Sequence, residues 1–240
     1  MLTDTFFQSP KVMGILNVTP DSFSDGGHFM AQEAALARAR QMVAEGAQII
    51  DIGGESTRPG AQSVSLQEEL DRVMPLIEKI RTELPVLISV DTSKAIVMQA
   101  AIAAGAQMIN DVAALRYEGS LDVIAASNEV YVCLMHIQGN PRTMQQQPHY
   151  ENVVKEVKSF LQDRIQVCVT AGIDAARILI DPGFGFGKTL AHNLQLMNQL
   201  QEFTQLGYPV LIGVSRKSML GQILNKPVQE RLYGGLALAV

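Results

Sequence analysis

Basic residues and cysteines are scarce in this sequence, and each shortage excludes a class of partner or site. Of 240 residues, 19 are lysine or arginine against 24 aspartates and glutamates, which gives a net charge of −5. The longest basic cluster is Arg216-Lys217. Because a nucleic-acid backbone binds clustered cations, no nucleic-acid partner is expected. The two cysteines, Cys133 and Cys168, lie in apolar and helical stretches and are interpreted as reduced core residues rather than as a disulfide or metal ligands.

Long hydrophobic runs are also absent. No apolar run approaches the roughly 20 residues that span a bilayer. Residues 1–8 have neither the basic start nor the apolar stretch of a signal peptide. A cytoplasmic protein with no membrane partner is therefore expected. Charged residues make up 18% of the chain and hydrophobic residues 47%, which favours a large buried core within a single domain spanning residues 1–240.

Seven short apolar runs alternate with longer stretches of helical spacing. The runs are rich in β-branched residues and almost continuously apolar, which is typical of parallel strands with both faces buried. They occupy residues 12–16, 49–52, 86–90, 108–109, 130–135, 178–180 and 210–214. A helix commonly ends just before a glycine with positive φ, and the glycines that follow the helical stretches here are Gly46, Gly105, Gly172 and Gly207.

This alternation predicts an α/β fold, a TIM (β/α)8-type barrel with eight parallel strands. The sequence has seven runs, and its last helical segment, residues 228–240, continues to the end of the chain. We therefore expect one barrel domain, C-terminally truncated here after about seven βα units, with the final strand and helix missing. An open seven-stranded sheet is the alternative.

Each of the seven predicted strands ends in a polar group. One such residue can simply cap the next helix. Seven in succession indicate a shared site, because the carboxyl ends of parallel barrel strands converge on one mouth. These residues are Asn17, Asp51, Asp91, Asn110, His136, Asp181 and the group Ser215-Arg216-Lys217.

Two loops between the runs have unusual compositions. Residues 17–27 are polar and end in glycines, which is typical of a lid, although an ordinary surface loop has the same composition. Residues 53–60 place Arg58 between turn-forming residues. A guanidinium there suits a carboxylate or phosphate, although a lone arginine more often forms a surface salt bridge.

A third loop, residues 181–188, places Phe184 and Phe186 among three glycines. Such rings either bind a flat aromatic ligand or pack into the barrel wall, since leaving them in solvent is costly. The loop continues Gly187-Lys188-Thr189 like a phosphate-binding P-loop. That motif needs a glycine five places before Gly187, where this chain has Pro182, so the P-loop is rejected.

Taken together, these segments resemble the dihydropteroate synthase family. The matching segments run in order from about residue 12 to the end of the chain, and the first two and last two are long and specific. They are GILNVTPDSFSDGG (14–27), DIGGESTRPG (51–60), SVDT (89–92), IND (109–111), LMH (134–136), DPGFGFGK (181–188) and SRKS (215–218).

The resemblance implies an enzyme of folate biosynthesis that condenses (7,8-dihydropterin-6-yl)methyl diphosphate with 4-aminobenzoate. It implies a pterin pocket of Asp91, Asn110, Asp181 and Lys217, with Met135 against the ring. Asp91, Asp181 and Lys217 would be the catalytic residues. A carboxylate can accept two pterin N–H groups at once, and a lysine can donate to the pterin carbonyl. Residues implied near 4-aminobenzoate are Thr57, Arg58, Pro59, Phe186 and Ser215.

The resemblance further implies Mg²⁺ and the diphosphate near Asn17, where water and phosphate oxygens would complete the coordination shell. The implied mechanism is dissociative: diphosphate leaves, a delocalised pterin cation forms, and the neutral aniline attacks it. Asp91 and Asp181 would favour that cation. A homodimer and sulfonamide sensitivity are also implied, with Phe23 and Pro59 in the loops around 4-aminobenzoate.

One family element has no counterpart in these 240 residues. The family carries an Arg-x-His element on its final strand that helps to hold the diphosphate, so weak or no activity is expected of this chain alone. Three other readings stay open: Schiff-base chemistry at Lys217, a pterin-binding methyl-transfer domain that partners a corrinoid protein, and a binding module without catalysis. The loops 17–27 and 53–60 argue against the methyl-transfer domain.

Overall fold

The computed structural model of the chain describes residues 6–18, 27–57, 63–140 and 143–239, with residues 27–30 described by their backbone. Within these ranges, six parallel strands pair in chain order, each with the next. The strands are β1 (Met13–Asn17), β2 (Ile49–Gly53), β3 (Leu87–Asp91), β4 (Met108–Asp111), β5 (Tyr131–Met135) and β6 (Ile178–Asp181). The helices are α1 (Gly27–Ala44), α2 (Leu66–Glu83), α3 (Ala95–Ala104), α4 (Ser120–Ala126), α5 (Val153–Thr170), α6 (Leu190–Asn198), α7 (Gln201–Thr204), α8 (Ser218–Leu224) and α9 (Leu232–Ala239).

Helix α2 shows how local sequence sets these boundaries. It begins with a capping box: the Glu68 amide donates to the Ser65 hydroxyl, and the Ser65 amide donates to the Glu68 carboxylate at 2.9 Å. Its inner face buries Leu76, Ile77 and Ile80 completely. Each such side chain contributes about 1.5–3 kcal/mol on burial, so packing against the sheet holds the helix in place.

The predicted helix-ending glycines are confirmed. Gly46, Gly105, Gly172 and Gly207 have φ values of 109°, 108°, 93° and 81°. Residues with a Cβ atom rarely adopt this backbone region. The chain therefore reverses at these four points and enters the next parallel strand or segment.

Alternate residues of each strand face opposite sides of the sheet. One side, including Ile50, Ile52 and Val90, packs in the main core with the helices. The other side lines the lumen, where Ile49, Leu87 and other apolar residues form a separate cluster. Phe6 and Phe7, from the 3-10 turn Phe6–Gln8, pack on that cluster at the amino ends of the strands. The polar carboxyl ends of the strands are left at the opposite end.

The prediction of a seventh strand over residues 210–214 is wrong for the structure as described. This segment forms a single parallel bridge, Val210 with Ile180. Two hydrogen bonds support it: Ile180 N to Pro209 O at 3.0 Å and Leu211 N to Ile180 O at 2.8 Å. Its apolar composition is that of a strand, but no strand within the described ranges pairs with its other edge, and residues Val210 to Gly213 are half-buried.

The helical segment predicted over residues 228–240 is observed as two pieces. They are a 3-10 turn, Val228–Glu230, and helix α9, while Val240 lies outside the described residues. Among the helices of the described ranges, none has the length and apolarity needed to cross a bilayer.

Candidate active site

Four residues from neighbouring strands, three of them with polar side chains, lie in one row at the carboxyl end of the sheet. Asn17, Gly53, Asp91 and Asn110 occupy matching register positions on β1, β2, β3 and β4. A methyl group placed on Gly53 would lie 3.4 Å from Asn17 Oδ1 and 3.7 Å from Asp91 Oδ2. The absence of a side chain at Gly53 therefore opens a space that these two oxygens share.

Asp51 lies one layer deeper and was not among the predicted binding residues. Asn110 Nδ2 donates to Asp51 Oδ2 at 3.0 Å, which orients the Asn110 amide. Asp51 Oδ1 and the hydroxyl of its register neighbour Ser89 are both buried, and against the rise that burial causes, the Ser89 hydroxyl lowers the pKa of Asp51. The sequence signal was present, because Asp51 was one of the polar strand ends, but nothing in it separated a supporting carboxylate from a binding one.

The carboxylates of this region are difficult to ionise together. Burial raises the pKa of Asp91 well above its usual value, and the charges of Asp51 and Asp111 raise it further. Burial also raises the pKa of Asp51 and, separately, of Asp111. Buried carboxylates of like charge favour any positive group that enters among them. The lumen end of β2 to β4 is thus suited to a ligand that carries or develops positive charge.

Asp181 stands across the mouth, at the end of β6 and in register with Met135 on β5. It is 6% exposed, and its Oδ1 accepts the Gly183 amide at 2.7 Å. Gly183 has φ 71°, and a Cβ there would lie 2.0 Å from His136 O. Glycine is therefore required at 183 for the turn that supplies this donor to Asp181.

Lys217 reaches the same side of the mouth from the segment after β6. Its ammonium donates to Phe184 O and lies 4.7 Å from the centroid of the Phe186 ring. Burial lowers the pKa of Lys217 to about 8, while the Asp181 charge opposes that shift. A methyl group on Gly213 would lie 3.5 Å from Lys217 Nζ, so the ammonium extends over the backbone of the 210–214 segment.

The two phenylalanines of the 181–188 loop have different environments. Phe184 is fully buried in the main core, so it packs into the barrel wall. Phe186 is half-buried and packs beside the cluster of Met135, Ile137 and Met144. Phe186 is the ring available to a flat ligand.

Lys188 is a second residue that sequence reasoning did not assign to the site. It is 3% exposed, and its ammonium lies 2.9 Å from His136 Nδ1. It also donates to Gly183 O at 2.9 Å and to Phe186 O at 3.0 Å. In the sequence, Lys188 belongs to the P-loop match that was rejected, and its backbone partners follow no recognisable spacing.

The loop after β2 is described as far as Thr57, which is half-buried. Its first part is anchored by Lys94, whose ammonium contacts Glu55 at 2.6 Å and also pairs with the buried Glu69. Ser215 is exposed after the 210–214 segment. The predicted residues Arg58 and Pro59 lie outside the described residues, as does Phe23 of the 17–27 loop.

No group of three or more histidine, cysteine or acidic side chains suited to a metal ion occurs in the part of the chain that the structure describes. Asn17 offers one neutral oxygen, and Asp91 Oδ2 borders the same space above Gly53. Two protein oxygens suit Mg²⁺, which commonly keeps most of its waters and takes substrate phosphates as further ligands. This donor set fits magnesium bound together with a substrate and does not form a cage for the ion alone.

The chain matches the family model described as "Pterin binding enzyme" over residues 13–240. It is 53% identical to the dihydropteroate synthase of Haemophilus influenzae over 231 residues, covering 96% of this chain and 84% of the relative. A Yersinia pestis dihydropteroate synthase solved with a sulfonamide drug superposes with a TM-score of 0.91 at 52% identity, covering 97% of this chain and 84% of that one. A Xanthomonas albilineans dihydropteroate synthase in complex with 7,8-dihydropteroate gives a TM-score of 0.86 at 46% identity, with 97% and 83% covered.

This chain, a TIM barrel of parallel strands with buried carboxylates at its mouth, is therefore a pterin-binding enzyme. The chain belongs to the dihydropteroate synthase family, whose members are transferases that form a carbon–nitrogen bond in folate biosynthesis. This membership favours carbon–nitrogen bond formation over the Schiff-base and methyl-transfer alternatives.

Proposed function

We propose that this chain binds (7,8-dihydropterin-6-yl)methyl diphosphate at the carboxyl end of its barrel and condenses it with 4-aminobenzoate. The observation that carries the site assignment is convergence. Asp91 and Asn110 lie side by side on β3 and β4, and Asp181 and Lys217 lie close enough for their charges to affect each other. Asp91, Asn110 and Asp181 end parallel strands, where barrel enzymes place their chemistry, and Lys217 follows the 210–214 segment that bridges to β6.

The pterin edge presents N–H donors beside a carbonyl, and the four side chains offer matching partners. The Asp181 carboxylate accepts two donors at once, and Lys217 donates to the carbonyl. One N–H of the Asn110 amide is committed to Asp51, so its oxygen and second N–H remain for the ligand. Met135, buried at the end of β5 in register with Asp181, provides an apolar surface for the ring.

The second substrate lies on the outer side of the pterin. Phe186 supplies a flat face for the 4-aminobenzoate ring, with Thr57, Arg58, Pro59 and Ser215 around it. The complex of the Xanthomonas albilineans relative with 7,8-dihydropteroate supports this order, because that product joins both substrate moieties in one molecule. The sulfonamide complex of the Yersinia pestis relative supports a site of this kind as a drug target.

The proposed reaction is a dissociative substitution. The bond between the pterin methylene and the diphosphate oxygen breaks, and the bonding electron pair leaves with the diphosphate. The methylene cation is delocalised into the pterin ring, where Asp91 and Asp181 stabilise its charge in a site shielded from water. The lone pair of the aniline nitrogen then forms the new bond, and that nitrogen releases a proton.

Magnesium, where bound, neutralises charge on the leaving diphosphate. Asn17 Oδ1 would hold it, and Asp91, in the same register row, would accept hydrogen bonds from its waters. As an expected outcome, Asn17→Ala raises the Mg²⁺ concentration for half-maximal turnover severalfold, because one protein ligand is lost, and leaves the affinity for a pterin without phosphate unchanged. Kinetics at graded Mg²⁺ and calorimetry measure the two effects. Equal Mg²⁺ dependence in both proteins would remove Asn17 from this role.

We also propose a cytoplasmic homodimer. Helices α8 and α9 leave apolar side chains exposed, including Leu232 at 59% and Tyr233 at 82%, and contiguous exposed apolar surface commonly marks an interface. A monomeric mass in light scattering would contradict the dimer.

The direct test of the proposed site is calorimetric titration with a 6-hydroxymethylpterin. We expect one pterin per chain, and binding that is unaffected by saturating 4-aminobenzoate, because the two ligands occupy adjacent subsites. Failure to bind pterin, or displacement of pterin by 4-aminobenzoate, would contradict the assignment.

A further inference from the structure

The buried ammonium of Lys188 joins two segments that carry pterin-site residues. Lys188 precedes α6 and reaches back under the turn that follows β6. Three acceptors lie within 3.0 Å of its Nζ: His136 Nδ1, Gly183 O and Phe186 O. A lysine ammonium has three N–H donors, so these contacts account for all of its donor capacity.

The contact with His136 links the protonation of the two side chains. While Lys188 is charged, His136 Nδ1 accepts from it, so the imidazole is neutral and carries its hydrogen on Nε2. Burial lowers the pKa of His136 to about 2, and the Lys188 charge lowers it further. The His136 ring is fixed by an edge contact with Phe160 at 5.0 Å between centroids. The lysine is thus attached to a rigid point at the end of β5.

The two carbonyl contacts control the turn that serves Asp181. Gly183 accepts from Lys188 through its carbonyl and donates to Asp181 Oδ1 through its amide at 2.7 Å. Phe186, whose carbonyl is the third acceptor, places its ring against the Lys217 ammonium. Restraining these two residues restrains both the carboxylate and the ring that face the mouth.

We propose that Lys188 is a positioning residue of the pterin site, which holds the Gly183–Phe186 turn and contributes positive charge beside Asp181. It does not itself contact the substrate. The inference rests on the proposed function in one respect, namely that Asp181 accepts the pterin. It goes further by assigning a role to a lysine that lies behind the binding surface.

The charges around Lys188 make the role measurable. It is faced by neutral His136 just after β5, with Arg116 near that histidine, by Asp181 on β6, by His192 on α6 and by Lys217 from the segment that follows. Burial raises the pKa of Asp181, while the charges of Lys217 and Lys188 and the Gly183 amide lower it. Removing the Lys188 charge therefore raises the pKa of Asp181, so a higher pH is needed to ionise this carboxylate.

The test compares Lys188→Met, which keeps an unbranched apolar stem one atom shorter, with Lys158→Met, which removes a half-buried lysine of α5 paired with Glu202 at 2.7 Å. Calorimetry with 6-hydroxymethylpterin is run from acid to neutral pH. We expect Lys188→Met to weaken binding at least tenfold and to move the acid limb of affinity to higher pH, whereas Lys158→Met matches the wild type. Affinity within threefold and an unmoved acid limb would overturn the proposal.

A purely structural role would lower the thermal midpoint without moving the acid limb, and that result also counts against the proposal. If Lys188→Met does not fold, Lys188→Gln retains N–H donors for the carbonyls and removes the charge, so its acid limb must shift. Asp181→Asn tests the pterin site separately from the positioning role of Lys188. Loss of binding in Asp181→Asn with wild-type behaviour in Lys188→Met refutes the positioning role alone, whereas full binding in Asp181→Asn refutes the pterin site itself.

Discussion

Asp181→Ala is expected to weaken pterin binding by a factor of 100 or more and to abolish turnover. Asp181 is 6% exposed at the end of β6, and its carboxylate is the acceptor proposed for two pterin N–H groups. A hydrogen bond to a charged group contributes roughly 1.5–3 kcal/mol, and each 1.4 kcal/mol is about tenfold in affinity. Two such bonds lost together therefore account for about a hundredfold at the lower limit.

The controls for this variant must distinguish loss of the contact with pterin from loss of the fold. Asp163→Ala removes an exposed carboxylate on α5, far from the mouth in the described fold, and should bind pterin as the wild type does. Asp181→Asn keeps the shape but offers one acceptor oxygen in place of a carboxylate, so it should also bind poorly. Calorimetry and circular dichroism on the three variants are decisive: near-normal affinity in a folded Asp181→Ala protein is incompatible with the proposed pocket.

Strands and helices were predictable because their physical signals are local. Strands β2 to β6 are largely buried on both faces, so they are continuous apolar runs in the sequence, and the glycines after the helices take positive φ. Strand boundaries were predicted to within one or two residues of those observed. The 210–214 segment was the exception. Its composition indicates a tendency to form a strand, but forming one also requires a neighbouring strand to pair with.

The convergence of polar strand ends was predictable from topology, but the role of each residue at those ends was not. Asp51 and Asp91 occupy similar places in the sequence, yet one lies beneath Asn110 and the other beside it. Strand register decides this difference, and register is a non-local property. Phe184 and Phe186 were likewise equivalent in sequence until left-handed glycines at 183, 185 and 187 directed them to opposite environments.

Lys188 was missed for a related reason. Its partners are mainly backbone carbonyls, which every residue carries, so no residue type or spacing in the sequence predicts them. Its burial follows from a turn whose path depends on three glycines and on the carbonyl of His136. A lysine in a glycine-rich loop is ordinarily interpreted as a phosphate ligand, whereas here the fold directs it inward.

Lys217→Met is expected to weaken pterin binding about 10- to 100-fold, the effect of losing one hydrogen bond from a charged donor. The Lys217 ammonium lies 4.7 Å from the Phe186 ring and within the influence of Asp181, so methionine keeps the packing and removes the donor. Lys226→Met, which removes an exposed lysine paired with Glu230 at 2.8 Å, is the matched control and should change nothing.

The pH dependence of binding identifies which lysine is responsible. Burial lowers the pKa of Lys217 to about 8, so its charge is complete below that pH and is lost as pH rises through it. Wild-type affinity should therefore fall on the alkaline side near pH 8, and Lys217→Met should lack that step. Burial lowers the pKa of Lys188 to about 7, with a further lowering from Lys217. Its earlier step should persist in Lys217→Met at a higher pH, because the neighbouring charge has gone. Wild-type protein should therefore show two alkaline steps and Lys217→Met only one; two alkaline steps surviving in Lys217→Met would show that another group, and not this ammonium, donates to the pterin.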